Sequence, residues 1–295
     1  GTNDAVKDIS VTVPDIAEQT GTVAIQKDLT VTFTDVDLTD LGHAVSFKSA
    51  VVKTGTDKAV KFTQDELSAL LSNYGSLTKD SGSASGAATL KFTAASGVFD
   101  YLAANESVTI TYTVTFTDGT VTTDKSFDVV VTGTNDAPLI TQAQSVDASF
   151  KGSVAEDDAS LGTLVAGKIS TTGSFDFTDV DLSNRPTVAA PVLVADSITY
   201  SAGVASSSAL NTALASALTA EIRTGSLNDG SVDWTFKVAN SLTQYLSAGE
   251  TVTATYDVTV SDADGGSVTR QVVVTITGTN DAVKDISVTV PDIAE

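Results

Sequence analysis

Val108-Thr-Ile-Thr-Tyr-Thr-Val-Thr-Phe116 alternates apolar and hydroxyl side chains without a break. Val108, Ile110, Tyr112, Val114 and Phe116 point one way and Thr109, Thr111, Thr113 and Thr115 the other, which is the period of a half-buried β-strand. The pattern returns at Val252, Ala254, Tyr256, Val258 and Val260, again mostly with threonines between. Threonine suits the wet face of a sheet because its branched Cβ favours extended backbone. Aligning Tyr112 with Tyr256 puts the two halves of the chain in register.

Working outward from that anchor, the first half reads as seven strands, near 8 to 13, 28 to 33, 43 to 48, 58 to 62, 88 to 92, 107 to 116 and 126 to 132. The second half reads as strands near 144 to 150, 174 to 177, 188 to 194, 197 to 200, 232 to 238, 251 to 260 and 270 to 277. Short strands separated by turn residues predict an all-β fold of Greek-key sandwiches. Two stretches break the rhythm at matching places, DELSALLSNY from Asp65 and ALNTALASAL from Ala209, and their apolar spacing predicts short helical crossover inserts.

The pentapeptide GTNDA begins at Gly1, Gly133 and Gly278, and Gly278 to Glu295 repeats Gly1 to Glu18 letter for letter. The expected modules are therefore 1–132 and 133–277, with 278–295 opening a third, truncated one. Each is large enough to bury its own core. The chain reads as an excerpt of a longer tandem array.

With 37 acidic against 16 basic residues the formal charge is −21, so nucleic acid and anionic membranes are poor partners and cations good ones. Without cysteine, neither disulfides nor thiolate metal sites can brace the fold, and any brace must use oxygen ligands. No apolar run approaches the roughly 20 residues of a membrane span and no leader precedes Gly1, so export would be specified elsewhere in a longer chain. His43 is the sole histidine, so neither a serine triad in each module nor a nitrogen-ligated zinc site is available, and no enzyme is expected. Near a strand start, His43 is expected at the surface.

Carboxylates gather at strand ends. The chain reads FTDVDLTD from Phe33, FTDVDLSN from Phe177, FTDG from Phe116 and VSDADGG from Val260. In a Greek-key sandwich these loops share the end at which the incoming linker arrives. Asp35, Asp37 and Asp118 should converge on Asn3 and Asp4, and Asp179, Asp181, Asp262 and Asp264 on Asn135 and Asp136. Carboxylates so gathered repel unless a cation sits among them, and Ca2+ accepts the irregular oxygen ligation that loops supply. The same residues also suit simple side-chain turns.

The GTNDA and GTNDAP boundaries, the LAANESVTITYTVTFTDG and LSAGETVTATYDVTVSDADGG stretches from Leu102 and Leu246, the Asp-Val-Asp loops and GSVAEDD from Gly152 together resemble cadherin-type repeats. The nearest resemblance is to the cadherin-like VCBS modules of large bacterial RTX adhesins. It implies Ig-like, cadherin-like sandwiches with Ca2+ between successive modules. At the first junction it implies Glu18, Asn135, Asp136, Asp179, Asp181 and Asp262 or Asp264 as ligands; at the next, Glu156, Asn280 and Asp281; and upstream, Asn3, Asp4, Asp35, Asp37 and Asp118. The family's linker reads DxNDN, whereas Gly133 and Ala137 hold the outer positions here, so fewer ions per junction are expected. The paired Asp and Glu near the family's fifth strand have only a loose counterpart in Asp100 and Glu106.

The role implied is a monomeric extracellular, cell-surface spacer of an adhesin, whose partners are neighbouring modules of the same chain and which projects a distal binding domain. A module that itself binds a glycan or another protein is the alternative.

Overall fold

The computed structural model describes residues 2–19, 21–53, 62–74, 77–144, 147–156, 166–223 and 228–280. The chain forms two compact units. The first comprises Gly1–Asp136 with the loops Asp179–Asn184 and Asp264–Gly266; the second comprises Ala137–Thr178, Arg185–Ala263 and Ser267–Glu295.

In the first unit the strands are β1 (Lys7–Thr12), β2 (Ile16–Ala17), β3 (Ile25–Thr34), β4 (Ala44–Lys53), β5 (Leu71–Ser72), β6 (Thr78–Lys79), β7 (Ser85–Ala94), β8 (Ser107–Thr117) and β9 (Thr122–Thr132). One sheet has the order β1-β3-β7-β5, with β6 also on β7; the other has the order β2-β9-β8-β4. The first strand of the sandwich is thus split. β1 pairs antiparallel with β3, and after Pro14 the chain crosses so that β2 pairs parallel with β9. This is the Ig-like arrangement that the cadherin-like reading requires.

The alternation in β8 holds residue by residue: Ile110, Tyr112, Val114 and Phe116 are fully buried while the threonines between them are half-buried. Leu29, Val31 and Phe33 from β3, Leu90 and Phe92 from β7, and Val129 and Val131 from β9 complete the core from both sheets. Residues 54–61 lie outside the described set, and with them most of the strand expected near 58 to 62.

The second unit contains β10 (Lys151–Ala155), β11 (Lys168–Phe177), β12 (Thr187–Val188), β13 (Val192–Leu193), β14 (Thr199–Tyr200), β15 (Leu218–Arg223), β16 (Gly230–Ala239), β17 (Thr251–Ser261) and β18 (Ser267–Thr277). Its sheets have the orders β10-β18-β17-β12, with β13 and β14 also on β17, and β11-β16-β15. Trp234, Phe236, Tyr256 and Val258 are fully buried in its core.

Three expectations need correction here. The segment expected as a strand near 144 to 150 ends instead in a 3-10 turn, Ala148–Phe150, because Asp147 Oδ1 caps the backbone N–H of Ser149 at 2.8 Å. That turn drives Phe150 into the core against Phe175. The strand expected across 188 to 194 is broken into β12 and β13, with Pro191 between them unable to donate a ladder hydrogen bond. And β15, which pairs with β16 from Leu218↔Phe236 to Arg223↔Ser231, has no counterpart among the expected strands.

Both helical inserts form, as α1 (Gln64–Leu70) and α2 (Ser208–Leu214). Each spans the passage from one sheet to the other. In α1 a capping box closes the N-terminus, Thr63 N–H donating to Glu66 Oε2 and Glu66 N–H to Thr63 Oγ1. Ser207 Oγ accepts from Leu210 N–H to start α2. A seven-residue helix is not stable alone, so tertiary contacts hold both. Leu67 and Leu70 of α1, and Leu210 and Leu214 of α2, are buried. The hydroxyls of Tyr112 and Tyr256, the anchors of the sequence alignment, donate to the carbonyls of Leu67 at 3.1 Å and Leu214 at 2.9 Å. Both carbonyls fall in a last helical turn, where partners from outside the helix complete the hydrogen bonding, and Leu214 O also accepts from Ala217 N–H at 3.2 Å.

The glycine of GTNDA has a steric reason. A Cβ on Gly133 would lie 2.3 Å from the carbonyl oxygen of Leu102, and one on Gly278 would lie 2.4 Å from that of Ser247. Each glycine N–H donates to the turn it touches, Gly133 to Glu106 O and Gly278 to Glu250 O.

Replacing Tyr112 or Tyr256 by Phe keeps the packing but removes the hydroxyl donor from Leu67 O or Leu214 O, the latter keeping only Ala217 N–H. Each variant should lose about 1 kcal/mol of unfolding free energy in urea titrations.

Candidate metal centre

Glu18 follows β2 directly, and its N–H donates to Thr132 O at 2.8 Å, continuing the parallel ladder by one residue. That registry aims the side chain at the linker, where Oε2 accepts from Thr134 N–H at 3.1 Å. The second unit repeats the device: Glu156 N–H donates to Thr277 O at 3.0 Å, and Glu156 Oε1 accepts from Thr279 N–H at 2.9 Å. Each glutamate thus grips the threonine of its own Gly-Thr-Asn pair.

Beside Glu18 stand Asp100, in the turn after β7, and Asp136, at the end of the linker. One oxygen from each of these three carboxylates lies within 4.8 Å of the others. Glu18 is 2 % exposed, and three buried oxygens, Glu18 Oε1, Asp100 Oδ1 and Asp136 Oδ2, have no hydrogen-bond partner. At an effective dielectric of about 20, two charges at such a separation repel by about 3 kcal/mol. Burial, and after it the charges of Asp136, Asp100 and Asp181, push the Glu18 carboxyl up to about 7 against the pull of the Thr134 N–H. Burial and then the Asp100 charge raise Asp136 as well. Buried oxygens without donors, all of one charge, fit a hard oxygen-seeking cation, and Ca2+ takes six to eight such ligands in flexible geometry.

The loop Asp179–Asn184 belongs to the same compact unit. Asp181 N–H donates to Asp179 Oδ1 at 3.0 Å, and Asp136 N–H donates to Asp181 Oδ2 at 2.9 Å. The Asn184 amide bridges Asp181 Oδ2 and Asn135 Oδ1. Leu182 N–H donates to Tyr101 O at 3.3 Å, next to Asp100.

The structure therefore brings Glu18, Asn135, Asp136, Asp179 and Asp181 to one place. Asp100 had been only a loose counterpart in the sequence, and it is a full member of the cluster. The signal was its place before the turn that carries Leu102 and Ala103, against which Gly133 packs. Glu106, its suggested companion, caps that turn instead, Oε2 accepting from Ala103 N–H at 3.1 Å, and Glu250 does the same for Ser247. Asp262 is buried just beyond β17, and Asp264 lies in the turn before β18. Asn280 ends the described residues, and Asp281 lies outside them.

At the other end of the first unit, Asn3, Asp4, Asp35, Asp37 and Asp118 also meet. Asn3 Nδ2 donates to Asp118 Oδ2 at 3.0 Å, Asp4 N–H to Asp37 Oδ2 at 2.6 Å and Asp37 N–H to Asp35 Oδ1 at 2.8 Å. Asp118 Oδ1 accepts from Thr120 and Val121 N–H. Desolvation raises Asp118, but the N–H groups of Val121 and Thr120 and the Asn3 amide outweigh it and hold the carboxyl below its ordinary range. His43 is not at the surface. It is buried beside the Phe33 ring, with Nε2 2.7 Å from Asp35 Oδ2, because the loop after β3 folds back over the sheet end.

Among the described residues no helix is long and apolar enough to cross a membrane. No family model matches the chain, and no curated protein sequence matches it. Among solved structures, it is similar to extracellular cadherin domains 1–5 of protocadherin gamma B2 at 14 % identity and a TM-score of 0.39, covering 96 % of this chain and 41 % of that one. The chain thus spans about two fifths of the length of that solved chain. It is also similar to CfaE, the adhesive subunit of the CFA/I fimbria of enterotoxigenic Escherichia coli, at 11 % identity and a TM-score of 0.34, covering 93 % and 87 %. An endo-fucoidan hydrolase of glycoside hydrolase family 107 matches at 14 % identity and a TM-score of 0.22, covering 93 % and 29 %. The functional reading rests on the carboxylate geometry.

Glu18 sets a pH dependence with a definite sign. Its folded pKa lies above its unfolded value, so the metal-free chain should be most stable near pH 5 and lose stability as pH rises through about 7. Denaturant titrations in chelator at about pH 5 and 8 check this, and Glu18→Gln should flatten the difference.

Proposed function

We propose that the chain is a calcium-stiffened extender segment of a bacterial surface adhesin. In this reading it is built from the modules 1–132 and 133–277, with residues 278–295 beginning another. The single observation that carries it is the convergence of Glu18, Asp100 and Asp136, each with a buried oxygen that no protein donor satisfies. A bound Ca2+ would supply the missing positive charge. Glu18, Asp100 and Asp136 would hold it, with Asn135, Asp179 and Asp181 grouped beside them on the linker and the Asp179–Asn184 loop.

The mechanism is electrostatic. Without the ion, like charges push the loop, the linker and the turn at Asp100 apart; with it, the three are tied together and local freedom is lost. Extracellular modules bind Ca2+ with dissociation constants on the order of 10⁻⁴ to 10⁻³ M, so a site of this class fills outside a cell and empties inside one. We place the protein at the cell surface, monomeric, with the neighbouring modules of its own chain as partners and a distal domain of the longer protein making the adhesive contact. Direct ligand binding by a module has less support. The large aromatic Trp234 is fully buried, and Tyr112 and Tyr256 are committed to the helical inserts.

Small-angle scattering of the whole chain tests the reading. Millimolar Ca2+ should give a narrower distance distribution than excess chelator, and Asp136→Ala should resemble the chelated protein in both conditions while keeping its β-sheet circular dichroism. Superimposable profiles with and without the ion would sink the proposal.

A further inference from the structure

The two acidic clusters of the first unit are of different kinds. At the Glu18 cluster, no ammonium or guanidinium donates to Glu18, Asp100 or Asp136 among the described residues. At the Asp35–Asp40 loop, protein groups already occupy the oxygens. Lys79, on β6, is buried, and its Nζ donates to the carbonyls of Asp37 at 2.8 Å and Asp40 at 3.0 Å. His43 Nε2 faces Asp35 Oδ2 at 2.7 Å, and since a carboxylate accepts, that nitrogen carries the proton. Both oxygens of Asp35, both of Asp118 and Oδ2 of Asp37 therefore have internal donors.

We propose that Lys79, assisted by His43, is a resident substitute for a divalent cation at the Asp35–Asp40 loop, so that this end of the first unit is ordered without calcium. The inference uses the calcium reading above only for contrast. Ca2+ needs carboxylate and carbonyl oxygens turned toward one point. Here two such carbonyls already point at an ammonium, and a metal ion entering beside it would meet a like charge while losing those ligands. The ammonium does for this loop what a metal ion would do: it puts a positive charge on the carbonyls of Asp37 and Asp40 and pins the backbone there, while His43 faces the Asp35 carboxylate.

The sequence shows that the difference is local. FTDVDL occurs in both modules, and two hydrogen bonds recur across the copies: Asp37 N–H to Asp35 Oδ1 matches Asp181 N–H to Asp179 Oδ1, and Asp4 N–H to Asp37 Oδ2 matches Asp136 N–H to Asp181 Oδ2. Counting on from the shared motif, His43 corresponds to Thr187 and Asp40 to Asn184. Lys79 is thus a specificity-determining residue: it decides which acidic cluster of the first unit is left for a metal.

Crystals of the whole chain grown with Mn2+ in place of Ca2+ test this by anomalous scattering. A peak among Glu18, Asp100 and Asp136 with none among Asp35, Asp37 and Asp118 is expected; a peak at the latter three overturns the inference. Amide hydrogen exchange of Lys79→Met adds an independent arm. The Asp37–Asp40 amides should exchange about tenfold faster than wild type in chelator and slow again in millimolar Ca2+, while Lys79→Arg stays like wild type. Unchanged exchange, or acceleration that calcium does not reverse, overturns the substitution. If no peak appears anywhere, the calcium reading fails, and the Lys79 inference is then decided by hydrogen exchange alone.

Discussion

The organisation of the first unit turns on one electrostatic constraint: an acidic chain folded into sandwiches must bring its strand-end carboxylates together, and each cluster needs a positive or hydrogen-bonding counterpart. A net charge of −21 with no cysteine leaves few internal means of meeting that need. Backbone amides meet part of it, through Asx-type turns at Asp35, Asp118 and Asp179. At one end of the first unit His43 meets it at Asp35, and Lys79 holds the carbonyls of Asp37 and Asp40. Around Glu18 the Thr134 N–H meets it at one oxygen, while among the described residues Glu18 Oε1, Asp100 Oδ1 and Asp136 Oδ2 have no donor, and burial raises the Glu18 and Asp136 carboxyls.

Backbone architecture explains why the carboxylates arrive where they do. Splitting the first strand into β1 and β2 lets the chain change sheets, and the parallel pairing of β2 with β9 sets Glu18 level with Thr132. The linker then leaves β9 at Gly133, where the absence of a Cβ allows contact with the carbonyls of Leu102 and Ala103. A side chain there would displace the turn that holds Asp100. Gly133 therefore shapes the site without ligating anything, and Gly278 makes an equivalent contact in the second unit.

The alternation in β8 and β17 was legible directly, as were the helical inserts and the meeting of Asn3 and Asp4 with the Asp35, Asp37 and Asp118 loops. Those features depend on periodicity and on the loop placement that a Greek-key sandwich imposes. His43 was not legible. Its burial depends on a loop folding back over Phe33, and a lone histidine beside a strand start gives no local sign of that. Lys79 was equally silent, since its short strand carries no periodic signal. The strand near 144 to 150 failed for a local reason, the Asp147 cap, which redirects the backbone into a 3-10 turn.

By itself, the sequence determined the all-β class, the threefold recurrence of GTNDA, and the gathering of acidic residues at strand ends, because period-two patterning and turn chemistry act over a few residues. Tertiary structure alone decided which oxygens are buried, which receive a donor, and that Asp100 joins Glu18 and Asp136. These outcomes depend on contacts between residues more than 80 positions apart in some pairs, such as Glu18 with Thr134. Charge compensation is a property of three-dimensional neighbours, and neither spacing nor composition encodes it.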